Sequence, residues 1–264
     1  MSEPRRRAAT RSLMDIALPI LVFLGAIGLW EAVVRLNDIQ PYLLPAPSLI
    51  AQTIIKDWPL LSGSLWVTVK ITFSALLLAI AGGVLLAVLF SQWKWVERSF
   101  FPFAVILQVT PIVAIAPLLL VYLDAQNAVL ACAFIVAFFP ILSNTVIGLA
   151  SADRSLVELF QLYRAPRRRN VAWLRLPYFL GGLKIGGGLA LIGAIVAEIA
   201  AGSAGQGTGL AFRIAEAGYR LNIPRMFAAL VLISVTGIAI FLFFSGLSRL
   251  LLGRWHDSER DHET

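Results

Sequence analysis

Between Asp153 and Arg175 the chain gathers Arg154, Arg164, Arg167, Arg168, Arg169 and Arg175 beside only two carboxylates, Asp153 and Glu158. The chemistry such a basic segment offers is docking, with another protein acting on it. Apolar runs close it on both sides, one ending near Ala150 and one opening at Phe179 after Leu176-Pro177. Ser155 is placed as an N-cap and Pro166 as a breaker, which predicts a short helix over 156–163. Leu156, Leu159, Phe160 and Tyr163 recur at three- and four-residue intervals and make one apolar face of it. Two occupants suit that face. One is a groove on a partner protein, with Glu158 and Arg164 flanking the contact; the other is the lipid interface, with Arg167, Arg168 and Arg169 against anionic headgroups.

A second set of polar residues lies inside apolar runs, where a polar group normally faces the interior of a helix bundle. Gln108 and Thr110 flank Pro111, and Asn144 lies further along the chain. Each suits a solute pathway or an ordinary interhelical hydrogen bond. Glu198 lies 20 residues past the start of its apolar run, about 30 Å along a helix, which puts it near the outer surface. It fits a gate at the outer mouth, a contact for a binding protein, or a solvated carboxylate.

Catalytic chemistry has little support. No Gly-Lys-Ser/Thr phosphate loop occurs, and Gly205-x-Gly207-x-Gly209 lacks both the lysine and a preceding strand, so it reads as a flexible outer turn. His256 and His262 lie in the polar tail with no cysteine or histidine cluster beside them, and Cys132 is alone in an apolar run. The expectation is a chain that is not an enzyme and binds no cofactor or metal of its own.

The elements that must position these residues belong in a bilayer. Of 264 residues 59% are hydrophobic and 14% charged, against about 25% charged in soluble domains. Apolar runs long enough to cross about 30 Å of hydrocarbon fall at about 13–34, 65–90, 100–123, 127–150, 179–201 and 226–252. Residues 1–12 and 253–264 are left as tails, 13–252 as one membrane domain, and 151–178 as its docking loop. Arg5, Arg6, Arg7, Arg11, Lys94, Arg98, the loop arginines, Arg249, Arg254 and Arg260 fall on one side; Arg35, Lys56, Arg213, Arg220 and Arg225 fall on the other. Basic residues stay in the cytoplasm, so both termini and the loop are expected there. The net charge of +7 is then a matter of topology, and nucleic acid is an unnecessary partner. The first apolar run is too long for a signal peptide and lacks an Ala-x-Ala ending, so it reads as an uncleaved span.

Two segments outside the spans read as short helices on the outer face. One follows Ser48, and the other is LAFRIAEAGYRL with Leu210, Ile214 and Ala217 on one side. Trp58 and Trp66 suit the outer headgroup level, and Trp93 and Trp95 the inner one. Pro102, Pro111 and Pro117 break the third span, which is tolerated only where neighbouring helices or a wet cavity satisfy the freed carbonyls. Gly181, Gly182, Gly186, Gly187, Gly188 and Gly193 make the fifth span a close-packing helix for the centre of the bundle.

A family resemblance rests on these residues. Permease subunits of ATP-binding-cassette importers carry a cytoplasmic loop of the form Glu-Ala-Ala, three residues, Gly, nine residues, Ile-x-Leu-Pro. Counting back from Leu176-Pro177 sets Leu174 at the isoleucine, Arg164 at the glycine and Glu158-Leu159-Phe160 at Glu-Ala-Ala. The spacing is kept, while both alanines and the glycine are replaced. PYLLPAPSLIAQTI, QVTPIVAIAPLLLVYL and ALIGAIVAEIAAGSAGQGTGLAFRI resemble the sulfonate, taurine and nitrate branch. ELFQLYRA and AEAGYRLNIPRMFAAL resemble a subgroup linked to pyrimidine thiamine precursors. The likeness covers about 40–255.

The resemblance implies an all-α membrane protein, with six transmembrane helices in a type I importer bundle and a cytoplasmic coupling helix in an inner membrane. It implies a cytoplasmic ATPase that holds ATP and magnesium, an extracytoplasmic solute-binding protein, and a second permease copy, with membrane lipid around them. The coupling residues would be Leu156, Glu158, Leu159, Phe160, Tyr163, Arg164, Ala165, Leu176 and Pro177. The pathway residues would be Gln108, Thr110, Pro111, Asn144 and Glu198. An autonomous secondary transporter or a membrane scaffold stays open as the alternative. Phe160→Asp is expected to abolish co-purification of an ATPase without preventing membrane insertion; unchanged co-purification would remove the docking reading.

Overall fold

The computed structural model describes residues 3–150, 167–202 and 208–252, with the side chains of 17–150, 176–202 and 208–252. The elements in chain order are α1 (Glu3–Leu36), α2 (Pro47–Lys56), α3 (Trp58–Gln92), α4 (Lys94–Val109), α5 (Ile112–Tyr122), α6 (Ala125–Ala150), α7 (Arg167–Ala201), α8 (Leu210–Tyr219) and α9 (Ile223–Leu252). All are helices, and the architecture is an all-α membrane bundle. Stretches of α1, α3, α6, α7 and α9 are each long and apolar enough to cross a bilayer, and a sixth crossing exists if α4 and α5 count together.

α6 lies between α3 and α7 and makes its largest contacts with them. The main core layer joins Leu76 and Ala79 of α3, Ala137 and Ile141 of α6, Leu183, Ala190 and Leu191 of α7, and Ile240 and Phe244 of α9. α1 stands at the edge, against α2 and, through Trp30 on Phe227, against α9. Its apolar surface is left exposed, as a lipid-facing helix requires. The short helices α2 and α8 cap one end of the bundle over Leu61, Leu210, Ala211, Ala228 and Ala229. Both were expected from their spacing. Leu210 and Ala217 are buried and Ile214 is half-buried on the inward face of α8.

Two expectations need correction. The third apolar run, 100–123, is two helices, α4 and α5, bent by 99° at the break. Of its three prolines, Pro102 and Pro117 sit inside helices; Pro111 alone interrupts. It has no N–H to continue the ladder, and it forces Thr110 into extended backbone at φ −72°, ψ 125°. The helix that carries the fifth apolar run does not start after Leu176-Pro177, although its span-like apolar stretch runs from Leu176 to Ala201. α7 begins at Arg167 and carries Pro177 inside it, so 167–178 is helix rather than loop. A proline removes one hydrogen bond and bends a helix locally.

The glycine pattern has its reason in the α6–α7 contact. Lipid tails are as apolar as leucine, so helices in a bilayer gain mainly from close packing. A Cβ added at Gly193 would stand 2.9 Å from the Cα of Ala133 and 3.1 Å from the Cys132 carbonyl oxygen. At Gly182 it would meet the Pro140 carbonyl oxygen at 3.1 Å. These are backbone atoms that cannot rotate away. Gly188, on the same helix, has nothing within 4 Å. Gly193→Ala is therefore expected to destabilise the protein by about 1–3 kcal/mol. Gly188→Ala should stabilise by up to about 1 kcal/mol through helix propensity. Thermal unfolding of both variants in one detergent checks the pair, and equal melting temperatures would contradict the contact.

Candidate functional site

Two places gather the polar residues expected to matter, the α4–α5 break and the end of the bundle capped by α2 and α8. At the break the Thr110 N–H donates to the Ile106 carbonyl at 3.1 Å, and the Thr110 hydroxyl adds a second bond to the same oxygen at 2.6 Å. Pro111 caps α5 without a side-chain hydrogen bond. Gln108, Val109, Pro111 and Val113 are exposed. In hydrocarbon, a backbone interrupted beside an exposed amide is stable only against protein or water. α5 is anchored on α6 and α7 from behind, with Ala116 buried. The opposite face of the break is exposed.

Asn144 is elsewhere. Its amide donates at 2.8 Å to the Pro140 carbonyl of its own helix, and its Cβ lies against Gly182 of α7. It belongs to the α6–α7 seam and does not join Gln108 and Thr110.

Glu198 is at the expected end of α7 but is not solvated: it is 5% exposed. One carboxylate oxygen accepts the Thr68 hydroxyl of α3 at 2.8 Å, and the other accepts the Ala211 N–H at 3.0 Å. The Thr68 oxygen in turn accepts the Leu210 N–H at 2.9 Å. The first-turn N–H groups of a helix have no intrahelical partner, and its positive dipole end favours an anion. Glu198 and Thr68 thus supply the cap that Gly209 cannot. α2 is treated the same way: Glu31 of α1 accepts the Ser48 N–H at 3.0 Å and the Ser48 hydroxyl at 2.7 Å.

Charged pairs complete this end. Arg213 donates to the Ser64 hydroxyl of α3 at 2.9 Å and to Glu216 at 2.7 Å. Glu216 also pairs with Arg220 at 3.0 Å. The Arg213 hydrogen bond holds the Glu216 carboxyl below its ordinary pKa, with the charges of Arg213, Arg220 and Arg225 acting in the same direction. Arg225, entering α9, donates to Asp57 at 2.6 Å and ties the start of α9 to the α2–α3 junction.

Of the coupling residues, Leu156, Glu158, Leu159, Phe160, Tyr163, Arg164 and Ala165 lie outside the described residues. Leu176 and Pro177 are half-buried in α7, and Leu176 packs on the main core. Sequence reasoning missed Thr68, Ser64 and Gly209. Ser64, Thr68 and Thr72 fall four residues apart inside an apolar helix, a spacing that puts them on one face, and all three are buried. Gly209, read as part of a flexible turn, is the N-cap against which Glu198 rests.

Known proteins share this chain's sequence over most of its length. It is 34% identical to the formylaminopyrimidine transport permease protein of Halalkalibacterium halodurans, over 89% of this chain and 94% of the relative. To the riboflavin transport system permease protein of Chloroflexus aurantiacus it is 33% identical, over 97% and 96%. To a putative aliphatic sulfonates transport permease protein of Bacillus subtilis it is 27% identical, over 93% and 88%. Residues 79–256, from the middle of α3 through α9, match the binding-protein-dependent transport system inner membrane component family. This match and the two relatives above 30% identity establish that the chain belongs to that family, the permease components of ATP-binding-cassette transporters for small solutes.

Proposed function

We propose that this chain is the permease of an importer for a small nitrogen heterocycle, a pyrimidine thiamine precursor of the formylaminopyrimidine type. The observation that carries the reading is the 34% identity, over nearly the full length of both chains, to a permease named for that solute. Riboflavin transport is the second reading, favoured by 33% identity over a still larger share of this chain. Both named solutes are planar heterocycles, whereas the sulfonate and nitrate relatives stand at 27%.

In this reading the chain contributes the path and its partners the energy and the capture of solute. A cytoplasmic ATPase docks on the loop that contains Leu156, Leu159, Phe160 and Tyr163, with Glu158, Arg164 and Ala165 at its edge. A solute-binding protein meets the opposite, extracytoplasmic end, where α2 and α8 lie. A second copy of the chain faces the α4–α5 break, so that Gln108, Thr110 and Pro111 border a shared passage rather than lipid. The excess of basic residues on the tails and the loop supports cytoplasmic termini, with α4 and α5 together making the sixth crossing. Amide and hydroxyl groups near a helix break suit a neutral, hydrogen-bonding ring, which gains directional contacts without needing a buried counter-charge.

Uptake of labelled formylaminopyrimidine by cells making this chain with its ATPase and binding protein tests the solute. ATP-dependent accumulation, competed by unlabelled pyrimidine and not by riboflavin, is the expected result; accumulation of riboflavin alone would establish the second reading. Gln108→Leu should lower pyrimidine uptake roughly tenfold, the value of one hydrogen bond, and leave ATPase co-purification intact. Wild-type uptake in that variant would remove Gln108 from the path.

A further inference from the structure

α7 runs without interruption from Arg167 to Ala201, about 50 Å of helix, from the end of the docking loop to the α8 end of the bundle. Three turns of α8 are gripped there at one point. Glu198, on the last turn of α7, and Thr68 of α3 hold the Leu210 and Ala211 N–H groups between them. The approach leaves no space: a Cβ at Gly209 would overlap the Glu198 carboxylate. α8 has no side-chain cap of its own, so its start depends on residues from two spans. Beyond the first turn α8 meets α3 through Arg213 and Ser64, while Tyr219 at its far end is 92% exposed. α8 is thus held at its start by α7 and α3 and packs along α9, with Ala217 near its far end buried.

We propose that Glu198, with Thr68, is a positioning clamp that makes α8 follow the outer end of α7, so that movement imposed at the docking loop is relayed along α7 to the extracytoplasmic face. The relay rests on the importer reading above; the clamp itself rests on the geometry. A tilt of α7 that draws α8 after it loads the carboxylate bonds and weakens the cap of α8. That load changes how the first-turn amides of α8 are protected.

The test uses the full chain in lipid nanodiscs, co-purified with its ATPase, as wild type, Thr68→Val and Thr68→Ser. Valine keeps the shape without the hydroxyl, and serine restores the hydroxyl. Amide hydrogen exchange is followed at Leu210 and Ala211, with and without ATP and vanadate. Removing the hydroxyl is expected to speed exchange at Leu210 roughly tenfold, with serine close to wild type. ATP and vanadate should alter exchange in α8 of the wild type and the serine variant and less in the valine variant, which keeps only the Glu198–Ala211 bond, while basal ATP hydrolysis is equal in all three. Equal exchange in valine and wild type would overturn the clamp. A wild-type α8 that ignores ATP while the bound ATPase turns over would overturn the relay. If no ATPase co-purifies, the importer reading fails and the relay with it; fast exchange at Leu210 and Ala211 in the wild type then overturns the clamp as well.

Discussion

Backbone groups released inside or at the edge of a bilayer must find partners within the protein, because hydrocarbon offers none. The rest of this architecture depends on how that demand is met. The two short helices at one end begin without side-chain caps of their own. Each is capped instead by a carboxylate from a spanning helix, Glu31 for α2 and Glu198 for α8. The same interaction therefore satisfies the helix dipole, compensates two buried or half-buried acids and attaches the surface helices to the bundle. Where no cap is supplied, at the Pro111 break, the exposed interruption defines a face unsuited to lipid.

Close backbone approach is the complementary device. Gly182 and Gly193 let α7 settle against carbonyl and Cα atoms of α6, and Gly187 accepts Phe244 of α9. α7 is consequently the most enclosed of the spanning helices, half of its apolar window being buried. Lys184 fits within this arrangement by laying its ammonium 4.4 Å from the centre of the Phe241 ring of α9, a contact that offsets part of the cost of placing a cation in an apolar setting.

Much of this was legible in the chain. The apolar runs, the two amphipathic surface helices and the close-packing role of the glycines follow from period, length and residue size. The apolar run opening at Phe179 marks where the helix turns apolar and not where it begins, since α7 carries Leu176-Pro177 inside it. Glu198 was located correctly along the helix and wrongly allowed a solvated environment. Distance along a helix gives depth, but the partners that bury a carboxylate come from residues 130 positions earlier and 13 positions later.

Hydropathy and glycine spacing by themselves determined an all-helical membrane bundle and the close packing of its fifth span. They could do so because burial in lipid and helix periodicity are local properties of a segment. Tertiary structure alone decided that Pro111, and not Pro102 or Pro117, turns the chain through 99°. It alone decided that Asn144 serves the α6–α7 seam, and that Thr68, Glu198 and Gly209 meet at one point. Those outcomes depend on which helices become neighbours, and a hydrogen bond between distant residues leaves no period in either segment that makes it.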